Sequence, residues 1–200
     1  MTWDEQTSDA MLLRAWREGD KTAADVLITR LGPRLYNFFA SKVVDGADAL
    51  CQQALADCVA DSGPLGPDGT RHSVRCLMFT AARQRLLQRL GERGSSSLDP
   101  GERSVADLDP RIDEVVDGPL QRRRLLLALR QLPVDAQVAL ELSYWERLTT
   151  EEIARVIERP EPEVEAQLAR ARAQLRGMID DEREVSDRTI DARGSEDERG

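Results

Sequence analysis

Two hundred residues, 40% hydrophobic and 32% charged with a net charge of −9, suit a soluble globular chain of one domain or two small ones. No run approaches the ~20 apolar residues of a membrane span, and the acidic N-terminus lacks the apolar core of an export signal, so the expected location is cytoplasmic. A single His, no Gly-rich phosphate loop and no nucleophile motif leave an enzyme reading little to stand on; no catalytic residue, cofactor or metal is assigned.

In chain order the pattern is helical throughout, with no alternating strand pattern and no internal repeat, so the expected fold is all-α. Residues 1–8 read as a frayed terminus. Met11–Glu18 reads as a short helix with Leu12, Leu13 and Trp16 on its apolar face, ended by Gly19-Asp20. Thr22–Leu31 is a second helix, Gly32-Pro33 breaks the pattern, and Arg34–Val44 is a third. After the Asp45-Gly46 turn, Ala47–Ala60 places Leu50, Ala54 and Cys58 on one face. Gly63–Gly69 is a loop, and 72–90 is a fifth helix with Phe79, Ala82, Leu86 and Leu90 at spacings of three, four and four. Residues 91–119, rich in Gly, Ser, Pro and Asp, predict a flexible acidic linker, and 180–200 a disordered acidic tail.

Between linker and tail, Thr149 and Glu152 form an S/T-x-x-E capping box that starts a helix. Ile153, Ala154 and Ile157 give it one apolar face, and Glu158-Arg159-Pro160-Glu161 interrupts it. Pro162 suits the first turn of the next helix, where its missing N–H goes unnoticed. Val164, Leu168, Ala171, Leu175 and Met178 continue at spacings of four, three, four and three. A short helix, a tight break and a longer amphipathic helix predict a helix-turn-helix, whose second helix enters a DNA major groove.

The charge is unevenly spread. Residues 71–90 carry five Arg and no acid on a chain of net −9. Such a segment is the footprint expected of phosphate contact, although a solvated face with Arg stems covering apolar surface accounts for it too. The helix from Glu161 has the opposite character: Glu161, Glu163 and Glu165 in its opening suit the helix dipole but repel phosphate. Cys51, Cys58 and Cys76 are odd in number and lack CxxC spacing; with His72 they have the chemistry of a zinc site, but buried small thiols and a surface His is the plainer reading.

The C-terminal stretch resembles the promoter-reading domain of bacterial sigma factors of the sigma-70 family, in particular the two-domain extracytoplasmic-function (ECF) group. The matching residues are Leu132-Pro133, Leu148-Thr149-x-x-Glu152-Ile153-Ala154, Val164, and Leu168-Ala169-Arg170-Ala171-Arg172-x-x-Leu175-Arg176. It departs where the family usually has Gly at the end of the first helix, here Glu158, and small, hydroxyl or basic residues opening the second, here Glu161, Glu163, Glu165 and Gln167. Upstream, Leu13-x5-Gly19-Asp20-x3-Ala24-x2-Leu27 and Arg34-Leu35-Tyr36 look like the opening of the polymerase-binding sigma domain. Ala47-Asp48-Ala49-Leu50-Cys51-Gln52-Gln53-Ala54-Leu55 is similar to the polymerase-docking helix, with Ala49, Gln53 and Leu55 departing from its pattern. Leu77-Met78-x-x-Ala81-Ala82-Arg83-Gln84-x-x-Leu87 resembles the helix that captures and melts the promoter minus-ten element.

The resemblance implies a domain over 9–90 like sigma region 2, the linker 91–119, and a domain over 120–179 like sigma region 4. It implies a transcription initiation factor whose partners are core RNA polymerase, through its β′ and β subunits, and promoter DNA; an anti-sigma or other regulatory protein is a further partner it allows. Polymerase contact is then expected at Asp48, Leu50, Gln52, Gln53 and Leu55. Contact with the melted strand is expected at Arg71, Arg75, Arg83, Gln84, Arg85 and Arg89. Contact of the recognition helix with DNA or protein is expected at Glu163, Glu165, Gln167, Arg170 and Arg172. The glutamates raise an alternative, a sigma-like adaptor whose C-terminal domain binds a protein that supplies DNA targeting or regulation.

Overall fold

Side-chain caps set the start of the first two helices in the computed structural model, which describes residues 3–4, 6–61, 73–93 and 127–178. Ser8 Oγ accepts from Met11 N and opens α1, Asp9–Arg17; Asp20 accepts from Thr22 N and Ala23 N and opens α2, Lys21–Ala40. Trp3 Nε1 donates to Asp20 at 3.1 Å, and Arg30 donates to the carbonyls of Thr7 and Asp4. The described part of the expected frayed terminus is therefore pinned to α2 by specific hydrogen bonds.

The break expected at Gly32-Pro33 is absent: α2 runs through Pro33. A proline inside a helix costs ~3 kcal/mol. Here Leu27, Leu31, Leu35, Phe38 and Phe39 are all buried along one continuous stripe on both sides of it, and burying five large apolar side chains at about 1.5–3 kcal/mol each outweighs that cost. Gly46, at φ +77°, leads into α3, Ala47–Ala60, whose bounds are those read from the sequence. Helix α4, Val74–Arg93, extends three residues past the expected end at 90. The loop 63–69, Arg71, His72, linker residues 94–119 and the tail 180–200 lie outside the described residues.

After α5 (127–131), Pro133 leads into α6, Val134–Tyr144. Every residue from Val134 to Leu140 is buried, the polar Asp135 and Gln137 included. Its Gln137 is satisfied by donating to the carbonyls of Leu132, at 2.7 Å, and Arg130. Then follow α7, Thr150–Ile157, and α8, 161–178.

All described elements are helical, and there is no strand among the described residues. Helix α4 is the pivot. It packs on α2 and α3 and also on α7, and Val74, Cys76, Met78, Phe79, Ala82, Leu86 and Leu90 are buried along it. Phe79 meets Phe38 with ring centroids 5.5 Å apart. One cluster of buried apolar residues runs from Leu12 to Ala171 through both halves.

Candidate nucleic-acid and polymerase interface

Helix α3 presents Asp48 and Gln52, four residues apart, together with Ala49 and Gln53, to solvent. Leu50 faces the other way and belongs to the core, and Leu55 is half-buried against it. Of the five residues expected to contact polymerase, the three polar ones are available at the surface, while Leu50 holds α3 in place.

On α4 the four described arginines of 71–90, unopposed in the sequence, each have a partner in space. Arg75 donates to the carbonyl of Glu146 at 2.9 Å. Arg83 forms a two-pronged pair with Asp135, Nε to Oδ1 at 2.8 Å and Nη2 to Oδ2 at 3.2 Å, with side chains only 6% and 1% exposed. Its Nη1 also lies 3.7 Å from Glu158. Arg85 forms a second two-pronged pair with Asp57 of α3, both bonds at 2.6 Å, which holds the Arg85 guanidinium even more firmly protonated. Arg89 donates to Asp45 at 3.1 Å. The expectation of a bare basic face therefore needs correction for the four described arginines: acids from α6, α3 and two turns meet Arg83, Arg85 and Arg89, and Arg75 is held by a backbone carbonyl. Gln84 is exposed and, with Arg85, Thr80, Asp57, Asp61 and Gln88, lines a groove of about 550 Å³ between α3 and α4.

The helix-turn-helix forms as the capping box requires. Thr149 Oγ1 accepts from Glu152 N at 3.2 Å, and Glu152 Oε2 accepts from Thr149 N at 3.0 Å. The other oxygen of Glu152 accepts from Ser73 Oγ at 2.6 Å, tying α7 to the start of α4. Helix α7 ends in a left-handed turn at Glu158, φ +56°. A glycine is the usual occupant of that conformation; the glutamate bears the strain and directs its carboxylate to Arg83. Pro160 O accepts from Glu163 N and Val164 N to start α8, one residue earlier than expected. Val164, Leu168 and Ala171 seat α8 on the core. Glu161, Glu163, Glu165, Arg170 and Arg172 are exposed and Gln167 is half-buried. Arg172 lies over the ring of Tyr144 at 5.5 Å, beside exposed Trp145.

Several cross-chain partners escaped sequence reasoning. Lys42 is buried, packs over the Phe38 ring at 4.0 Å, and donates to Phe38 O and to Glu141. Burial pulls the Lys42 ammonium below its usual range and pushes the Glu141 carboxyl up, each opposed by the charge of the other. Arg34 donates to Glu146 at 2.9 Å. A usable signal existed for Asp135: a charge inside the apolar run Val134–Leu140 must have a partner, because an unpaired buried charge is prohibitively unfavourable.

The cysteines are not brought together as a ligand set. Cys51 is half-buried and Cys58 and Cys76 are buried, and burial pushes their thiols up to about 11, 12 and 11 respectively. No group of candidate metal ligands occurs among the described residues, and no described helix is long and apolar enough to cross a membrane. No curated protein matches the chain. Residues 122–175, just over a quarter of it, match the family model Sigma-70, region 4, so the C-terminal helix-turn-helix is similar to the DNA-binding region 4 of sigma-70-type transcription initiation factors.

Proposed function

We propose that the chain is a sigma-like transcription initiation factor of the ECF group, cytoplasmic, that binds core RNA polymerase and directs it to promoter DNA. In this reading residues 9–90 and 120–179 are its two working units, 91–119 the connector and 180–200 an acidic tail. The observation that carries it is the region 4-like helix-turn-helix lying downstream of a helical unit with an exposed polar face at Asp48, Gln52 and Gln53. Polar groups of this kind fix the register of a protein contact more than its strength. The melted strand meets α4 at Gln84 and, in exchange for their present partners, at Arg75, Arg83, Arg85 and Arg89; Arg71 belongs to the same reading. RNA synthesis itself belongs to the polymerase, and an anti-sigma protein is a natural regulator. Competition between the purified chain and a housekeeping sigma factor for core polymerase tests this. Displacement that weakens with Asp48→Lys and Gln52→Ala supports the docking face; a folded chain that does not compete refutes the reading.

A second reading has its own observation. The first turn of α8 exposes Glu161, Glu163 and Glu165, so the surface that ought to meet phosphate repels it. A protein with a basic face is the better occupant, which makes the chain an adaptor whose partner supplies DNA targeting. Replacing the three glutamates by Lys, Ser and Arg discriminates. A gain in duplex affinity, with a salt slope steeper by about 1 for each phosphate contact created, places α8 at DNA; no gain favours the protein partner.

A further inference from the structure

We propose that α8 is a self-pairing helix, whose outer face docks end for end against the same face of a second copy of this chain. Val164, Leu168 and Ala171 hold α8 on the core, and the positions opposite them are exposed. That free face is divided by charge along its length. The first half carries Glu161, Glu163 and Glu165; the second carries Arg170, Arg172 and Arg176 and no acid. Within one helix the two halves lie apart, and their charges are poorly matched. Among the described residues Glu161, Glu165 and Arg176 make no ion pair, Glu163 reaches only Arg159 at 3.9 Å, and Arg170 bonds to the Ala166 carbonyl of its own helix.

A second copy supplies what is missing. When two identical helices pack antiparallel about a twofold axis, residues equally far on either side of the axis meet on the same flank. Glu161 and Arg176 share a midpoint between Leu168 and Ala169, and so do Glu165 and Arg172. With about 3.6 residues per turn, these four fall on one flank of the exposed face. On the other flank, Glu163 with Gln174 and Gln167 with Arg170 share that same midpoint. One register thus sets every acid against an arginine or an amide, and no like charges meet. Parallel pairing would put acid on acid and arginine on arginine, so the charges fix orientation as well. Between the flanks run the exposed Ala166, Ala169 and Ala173, short enough for the axes to approach and bring the flanks within reach.

Exposed ion pairs are individually weak, so the contact is reversible. Each copy carries −9, but at physiological salt net charge is screened beyond about 8 Å, and complementarity at contact range decides. The pairing covers the opening of α8, on which both readings of the C-terminal half depend. Self-association and engagement of another partner there are then alternatives. The pairing also gives the three glutamates a role that DNA reading does not.

Sedimentation equilibrium of the full chain at physiological salt tests this, and the parent is expected to show a monomer–dimer equilibrium. Glu161→Arg with Glu165→Arg makes the chain less acidic, so net charge alone predicts tighter self-association. The pairing predicts a Kd raised by about tenfold or more, because attractive contacts become repulsive. Arg172→Glu with Arg176→Glu does the same from the other end. Mixed together, the two variants form a heterodimer, since every contact is attractive again. All four positions are exposed, so the variants keep the fold. In a Cys51→Ser background, Ala169→Cys lies beside the axis and cross-links between copies on mild oxidation, whereas Gly177→Cys at the far end does not. A parent that stays monomeric at every concentration overturns the pairing and leaves α8 to DNA or to a basic protein. Variants that dimerise like the parent, a mixture that does not associate, or cross-linking at Gly177→Cys in place of Ala169→Cys overturns it too. None of these outcomes bears on competition for core polymerase through α3.

Discussion

Helices α4 and α8 are the two elements that nucleic acid is expected to meet, and they are opposites. Helix α4 is basic in sequence, but its described arginines are engaged: Arg83 by Asp135, Arg85 by Asp57, Arg89 by Asp45, Arg75 by the Glu146 carbonyl. Helix α8 opens on three glutamates, and its outer face is open to solvent. The helix with the right charge is covered, and the uncovered helix has the wrong charge for phosphate at its leading end. Charge along a sequence thus reports what a surface is able to attract; only the fold reports whether that surface is free.

The largest expected break in this comparison comes from Asp135→Ala, which strands the buried Arg83 charge. Loss of one partner of such a pair destabilises by about 3–5 kcal/mol, read as a lowered urea midpoint, while Glu163→Ala on exposed α8 shifts it by less than ~0.5 kcal/mol. Comparable effects from the two substitutions would contradict the account of α4 as the covered helix.

The alkaline limb comes next. Burial keeps the three thiols protonated in the fold, to about 11 for Cys51 and Cys76 and about 12 for Cys58, from an ordinary 9.0. The folded chain holds protons that the unfolded chain releases, so this contribution is fully present below pH 9 and is lost as pH rises from 9 toward 12. Triple Cys→Ala substitution should flatten the loss in urea titrations across that range. Fast alkylation of Cys58 in the native chain at pH 8 would argue against its burial.

Smaller effects probe α7, the joint between the two helices. Thr149→Ala removes the cap at a cost of ~1 kcal/mol. Because Glu152 serves both the cap and Ser73, a double-mutant cycle with Ser73→Ala should be non-additive. Glu158→Gly relieves the left-handed strain by up to about 1 kcal/mol; its partly exposed contact with Arg83 offsets only a fraction of that. The expected outcome is a small net gain in thermal midpoint, and a clear loss would mean that the Glu158–Arg83 contact outweighs the backbone strain.

The local signals were legible in sequence. The capping box at Thr149, the stripe from Val164 and the bounds of α3 each rest on residues a few positions apart, and each formed as read. Pro33 misled because a local breaker was overridden by the stripe Leu27–Phe39, whose weight is tertiary. The contacts between the two halves were beyond reach for a related reason. Lys42 and Glu141 are 99 residues apart and Arg83 and Asp135 are 52 apart, and no period or motif links them. Only the presence of charges inside apolar runs hinted that partners had to exist.

The proposal at the centre is that the chain docks on core RNA polymerase through the exposed polar face of α3. Competition with a housekeeping sigma factor for core polymerase tests it most directly. The expected result is displacement by the folded parent chain and weaker displacement when Asp48→Lys and Gln52→Ala are combined. A folded chain that does not compete, or one that competes unchanged with both substitutions, would contradict it.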